Sequence, residues 1–235
     1  MMRILRIAWK AYCYTLGAIV LVLVAVQGWY FAHVWWWVEH DPRETAFMRA
    51  QLERLRAKDP KAALAHQWVP YESIAVSLKR AVVAAEDAKF VNHEGFDLEG
   101  IQRALERNDK KGRTVAGGST ISQQLAKNLF LSGERSWVRK GQEAVITWML
   151  EALMSKERIL EIYLNVVEWG DGVFGAQAAA KYHFGTTAER LNAPQAAYLA
   201  AVLPSPRRYE RGRATPYVAS RVETILGRME SAQIP

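Results

Sequence analysis

At 235 residues, half of them hydrophobic and 23% charged, the chain has room for one ordinary domain and a short extra segment; a disordered composition is excluded. Its single cysteine, Cys13, lies in an apolar stretch, which excludes a disulfide framework and a cysteine-built metal site. The formal charge is +7. Arg3, Arg6 and Lys10 all precede the first acidic residue, Glu39, so the surplus over the rest of the chain is modest. Such a surplus suits an anionic substrate, a membrane surface or nucleic acid.

From Ala11 to Val38 the sequence is almost wholly apolar, interrupted only by Gln27, His33 and small or hydroxyl residues. About 20 apolar residues cross the hydrocarbon core as a helix. A signal peptide has a shorter apolar core of about 7–15 residues followed by a small-x-small cleavage site, and no Ala-x-Ala follows this run. A retained transmembrane anchor over 11–38 is therefore expected, with a buried core helix as the alternative. Basic residues precede it, and Glu39, Asp41 and Arg43 follow it. The positive-inside rule then puts a basic tail, residues 1–10, in the cytoplasm and everything after the anchor outside. Tyr30, Phe31 and Trp35 to Trp37 cluster where an outer aromatic belt would lie. A juxtamembrane segment, 39–65, and a single domain, 66–235, complete the expected organisation.

Beyond the anchor no repeat and no alternation long enough for a sheet is present, and helical spacing dominates. An amphipathic, charge-rich helix is expected over 43–58. Its Phe47, Leu52 and Leu55, with Trp68, are candidates to dip into the membrane interface. Ile74, Leu78, Ala81 and Ala85 mark one helix face leading into Glu86-Asp87. Asp97 caps a helix bearing Leu98, Ile101 and Leu105 that fades by Gly112. Thr120 with Gln123 is a capping-box pattern opening a helix through Leu129. Further helices are expected over about 137–154 and 156–166. A glycine-interrupted loop, 169–175, leads to an alanine-rich helix ending at Phe184-Gly185. Asn192-Ala193-Pro194 opens another helix, which Pro204 and Pro206 stop, and a last one follows Pro216. The fold class is all-α.

Three clusters carry chemistry. Glu86-Asp87 ends an apolar helix, where partial desolvation raises a carboxylate's pKa and suits it to act as a base; a solvated helix end is the plainer reading. His93 has no second histidine at metal spacing. Gly112 to Ser119 resembles a phosphate-binding loop, but Gly118 stands where lysine is required. The helix opened by Ser119-Thr120 is readable as an anion site at a helix N-terminus or as a simple cap. A DNA-recognition helix is argued against by the expected topology. Third, Lys127-Asn128, Arg135, Arg139-Lys140 and Glu143 group cations about one acid, as stabilisation of a phosphate leaving group requires, or as a surface charge network would.

The order of these pieces is more specific than any one of them. E-D-x-x-F-x-x-H-x-G-F-D is followed by G-G-S-T-I-S-Q-Q-L-x-K-N, then R-K-x-x-E, then Lys156 with Ile159-Leu160-Glu161-x-Tyr163-Leu164-Asn165, then W-G-x-G-x-x-G-x-x-x-A-A-x-x-Y-x-F-G and Leu203-Pro204-Ser205-Pro206. Over about residues 66–220 this order resembles glycosyltransferase family 51, which polymerises peptidoglycan glycan strands. The single-domain length, and the lack of any S-x-x-K for a transpeptidase serine, resemble the family's monofunctional biosynthetic transglycosylases. Ser122 stands where the family often has threonine, and Phe174 and His183 where it often has tyrosine.

The resemblance implies a lysozyme-like helical glycosyltransferase domain that joins a lipid-pyrophosphate-linked glycan chain to lipid II with inversion. By position Glu86 matches the catalytic base, and Glu143 a second essential carboxylate on the donor side. Lys127 and Arg135 match residues that hold the donor pyrophosphate, and Ser119 and Gln123 line the same site. Asp87, Asn128, Arg139 and Lys140 complete the expected substrate-binding set. No cofactor is expected to be required, although a divalent cation, magnesium or manganese, helps some members through the pyrophosphate. The expected partners are lipid II, the lipid-linked glycan chain, a bacterial inner membrane crossed once, and cell-division or elongation proteins; nucleic acid is not among them. A lysozyme-like lytic transglycosylase and a non-catalytic membrane scaffold are the competing readings.

Overall fold

Helix α1 (Met2–Trp36) fills most of the first of two units into which the chain divides, 1–40 and 41–235. The structure, a computed structural model, describes residues 2–112, 118–131, 136–209 and 215–235. The helix starts earlier than the expected anchor, because nothing between Met2 and Ala11 breaks a helix and lysine and arginine are good helix formers. Leu5–Trp36 is long and apolar enough to cross a membrane, since a rise of about 1.5 Å per residue exceeds the ~30 Å hydrocarbon thickness well before its end.

In the second unit, α2 (Ala46–Arg56) is opened by Thr45, whose Oγ1 accepts from the Met48 amide at 3.0 Å. Thr45, Ala46, Met48 and Gln51 are buried, and the Phe47 ring meets the edge of Phe174 at 6.0 Å. Residues 41–65 lie in the same compact unit as the rest of the chain after them. Phe47, Leu52, Leu55 and Trp68 are all partly buried within it.

Helices α3 (Val76–Glu86), α9 (Ala193–Val202) and α10 (Pro216–Met229) pack as one group. A second group is α5 (Ile121–Phe130) against α2, α6 (Trp137–Leu153) and α7 (Lys156–Val166). Helix α4 (Leu98–Lys111) starts at Asp97, which accepts from the Gly100 amide at 2.8 Å, and ends on the left-handed Gly112. The capping box of Thr120 and Gln123 is complete, and Asn192 and Gln195 build a second one on α9. Each such cap stabilises its helix by about 1 kcal/mol.

The 169–175 stretch, expected as a loop, is a short hairpin: β2 (Glu168–Gly170) pairs antiparallel with β3 (Val173–Phe174), and β1 (Ala65–His66) lies parallel to β3 on its other side. Asp171-Gly172 makes the turn with Gly172 at φ 76°, a dipeptide signal overshadowed in the sequence by the surrounding glycines. Asn165 locks this sheet to α7. Its amide bonds the Val69 N–H and C=O, and its own carbonyl oxygen meets His66 Nε2 at 3.0 Å. His183 bonds the Trp169 carbonyl through Nε2 at 2.8 Å and packs against the Tyr198 ring, so the departure from tyrosine is accommodated inside the unit.

Gly175, between β3 and α8 (Ala176–Phe184), has φ 82°, and a Cβ there would sit 2.6 Å from the Asn165 carbonyl oxygen. Gly175→Ala is expected to cost about 2 kcal/mol or more, lowering the thermal midpoint by roughly 4 °C or more; a midpoint equal to wild type in a melting experiment contradicts this close packing.

Candidate active site

Glu86 ends α3 at the point where the two helix groups meet. Its Oε2 accepts from Gln124 Nε2 of α5 at 2.9 Å, and its Oε1 lies 3.3 Å from Arg221 Nη2 of α10. Gln124 in turn accepts at Oε1 from the Tyr163 hydroxyl of α7 at 3.0 Å, so the amide's orientation is set from behind. Burial raises the Glu86 pKa above the ordinary carboxylate value, against the lowering influence of the Gln124 hydrogen bond and the charges of Arg221 and Lys127; Asp87 adds to the rise. Burial, with the nearby Glu86 and Asp87 charges, pushes the Tyr163 phenol well up, so it stays a donor.

Asp87 faces the other way. Oδ1 accepts from His93 Nε2 at 2.9 Å and Oδ2 from the Ile121 amide at 3.0 Å. His93 Nδ1 accepts from the Gly95 amide at 3.2 Å, which assigns the neutral tautomer with its proton toward Asp87. The α5 N-terminus is consequently not an open anion site. The Ile121 amide is bound by Asp87, that of Gln123 by Thr120 Oγ1, and that of Thr120 by Gln123 Oε1. The carboxylate takes the place an external anion would occupy.

A cavity of about 470 Å³ is lined by Ser119, Gln123, Lys127, Arg139, Lys140 and Glu143, together with Gln124, Ser136 and Trp137. Six of the expected site residues, from α5, α6 and the turn before α5, therefore surround one space. Glu143 is buried and ion-paired with Lys140 one turn earlier, which fixes the ammonium at the cavity wall. Arg139 Nε is buried with no hydrogen-bond partner among the described residues. Arg135 lies outside the described residues.

Two smaller spaces adjoin. Lys127 and Gln124 also line a cavity of about 410 Å³ with Asn128, Phe47, Arg207 and Arg208. Glu86, Asp87 and Ser119 border a cleft of about 100 Å³. Gln124, Tyr163, Arg207 and Arg221 are site residues that the sequence reading missed. Gln124 carried a signal, since it shares a helix face with Lys127 and Asn128. Arg207 forks onto the buried Glu168, with Nη2 at 2.9 Å, and Arg221 is 135 positions from Glu86; no local pattern announces either pairing.

The transglycosylase family model matches residues 52–230. The chain belongs to this family. It is 60% identical over 218 residues to the biosynthetic peptidoglycan transglycosylase of Methylobacillus flagellatus, covering 93% of this chain and 95% of the relative. Proteins of the same name from Azoarcus sp. (57% over 231 residues, 98% and 100% covered) and Herminiimonas arsenicoxydans (57% over 216 residues, 92% and 94%) are similarly related. The transglycosylase match starts inside α2, in keeping with the packing of that helix into the compact unit.

Asp87→Asn replaces an acceptor oxygen at the Ile121 amide or at His93 with an N–H. One buried donor then loses its partner, at about 1–3 kcal/mol. The expected result is a lower denaturation midpoint and slower polymerisation together; a variant of wild-type stability would show that Asp87 does not clamp α5.

Proposed function

We propose that the chain polymerises peptidoglycan glycan strands from lipid II at the outer face of the bacterial inner membrane, with Glu86 as general base. The carrying observation is a shielded carboxylate of raised pKa hydrogen-bonded to Gln124, a side chain that lines both cation-bearing cavities. Glu86 removes the proton from the acceptor sugar 4-hydroxyl. That oxygen bonds to the donor's anomeric carbon from the face opposite the leaving group, and the carbon–oxygen bond to the pyrophosphate breaks with its electron pair. A positioned base contributes typically about 10²–10⁴-fold.

The departing lipid pyrophosphate meets Lys127, Arg139 and Lys140 in the larger cavity, where cations act with little reorganisation. Glu143 serves by holding Lys140. The acceptor's own pyrophosphate fits the adjoining cavity beside Arg207 and Arg208. A lytic enzyme acting on uncharged glycan has no use for this cation set. A divalent cation that stimulates the reaction would be carried by the substrate phosphates.

The α6 surface supports a lipid-linked substrate. Trp137 is 92% exposed and Trp148 64% exposed, with Val138 and Val145 exposed on the same side of the helix. Trp137 also forms part of the cavity rim next to Arg139 and Lys140. Exposed aromatics of this size mark a surface that meets lipid. With α1 as anchor, basic end in the cytoplasm, both substrates and enzyme share the membrane surface, which raises effective concentration.

Glu86→Gln is expected to fold and bind lipid II but to polymerise it at least about 100-fold more slowly; full activity removes Glu86 as base. Because the base works only when ionised and burial raises its pKa, the wild-type rate should climb with pH through a midpoint above the ordinary glutamate value of about 4.3. In the full chain reconstituted in vesicles, Trp137→Ser with Trp148→Ser should remove the α6 share of the fluorescence quenching by brominated lipid, leaving that of the α1 tryptophans, and raise KM for lipid II severalfold. Unchanged quenching and KM would remove α6 from the membrane contact.

A further inference from the structure

Arg221 stands in the middle of α10, and its contact with Glu86 Oε1 is the hydrogen bond its guanidinium makes among the described residues. Its Nε is buried without a partner among them. The guanidinium carries five N–H donors. A buried, unpaired N–H weakens the fold, so stability alone does not account for this arginine. The pair is well shielded, at 28% exposure for Arg221 and 13% for Glu86, which strengthens the attraction relative to water.

The other groups around Glu86 differ from it in one respect. Asp87, beside it, opposes its charge, and Asp97 borders the shared cleft. Tyr163 of α7 acts through Gln124, and His93 is turned to Asp87. On α9, which packs on α3, the titratable side chain is Tyr198, set against His183 and Phe184. Lys127 of α5 is the other cation that favours ionised Glu86, but it lines both larger cavities, where phosphates would draw on the same charge. Arg221 lines neither cavity, nor the cleft.

We propose that Arg221 is a positioning residue for polymerisation: from α10, its guanidinium holds the Glu86 carboxylate ionised and aimed while Lys127 is engaged by substrate phosphate. This rests on Glu86 being the base. The charge that readies the base then comes from the last helix of the chain, and docking of α10 completes the site.

The test is the pH profile of the initial polymerisation rate at saturating lipid II, from about pH 5 to about pH 9, on the full chain. Arg221→Gln should move the acid limb up by about one pH unit, a loss of about tenfold on that limb that closes as pH rises. Arg221→Lys, whose point charge does not reproduce the guanidinium contact, should move it less but measurably. Arg228→Gln, exposed on the same helix and outside the site, should leave limb and rate unchanged. A limb at the wild-type pH in the folded Arg221 variants, whatever their rate, overturns the proposal. Thermal melts identify which variants fold, and if Arg221→Gln does not, the limb of Arg221→Lys decides. An inactive Glu86→Gln with an unmoved limb removes Arg221 alone, whereas an active Glu86→Gln removes the base itself.

Discussion

A carboxylate taken out of water is held protonated at neutral pH unless nearby groups favour its charge, and this conflict at Glu86 organises the catalytic unit. Burial makes the group a stronger base than a solvated glutamate. The Gln124 amide and the Arg221 guanidinium keep it available in the charged form. Each partner comes from a different helix, so the site exists only when α3, α5, α7 and α10 are all in place. The candidate site is thereby tied to the packing of both helix groups, not to one local motif.

The remaining ionisable groups divide into those that build the site and those that face its contents. Asp87, with His93 behind it, occupies the α5 N-terminus and joins that helix to the end of α3. Glu143 is buried to fix Lys140, and Glu168 to fix Arg207. In each case an acid is spent on orienting a neighbour, since an unpaired charge at such depth would be costly. Ser119, Lys127, Arg139 and Lys140 face the larger cavity, where mobile cations would be less effective than cations already held.

The same logic extends to the apolar surface. The side chains of α2 that looked suited to a membrane interface are used inside the unit, Phe47 against Phe174 and Leu55 beside Gly172. Within residues 41–235 the exposed tryptophans among the described residues are on α6 instead, one of them on the cavity rim. Amphipathic spacing shows that a helix has an apolar face, but not whether protein or lipid will cover it.

Helix positions, the capping boxes, the long apolar anchor helix and the residues around the larger cavity were legible in the sequence, because each is a short-range pattern: 3.6-residue periodicity, a cap three residues from its partner, cations one or two turns apart on neighbouring helices. The Glu86 segment was legible too, as two acids ending an apolar helix. The tertiary structure alone decided which acid of that pair meets Gln124 and Arg221 and which clamps α5. It also decided that the helix terminus is filled from within, and that Arg221 reaches back across the fold to Glu86. Those outcomes depend on distances between elements far apart in the chain, and no local spacing of side chains encodes them.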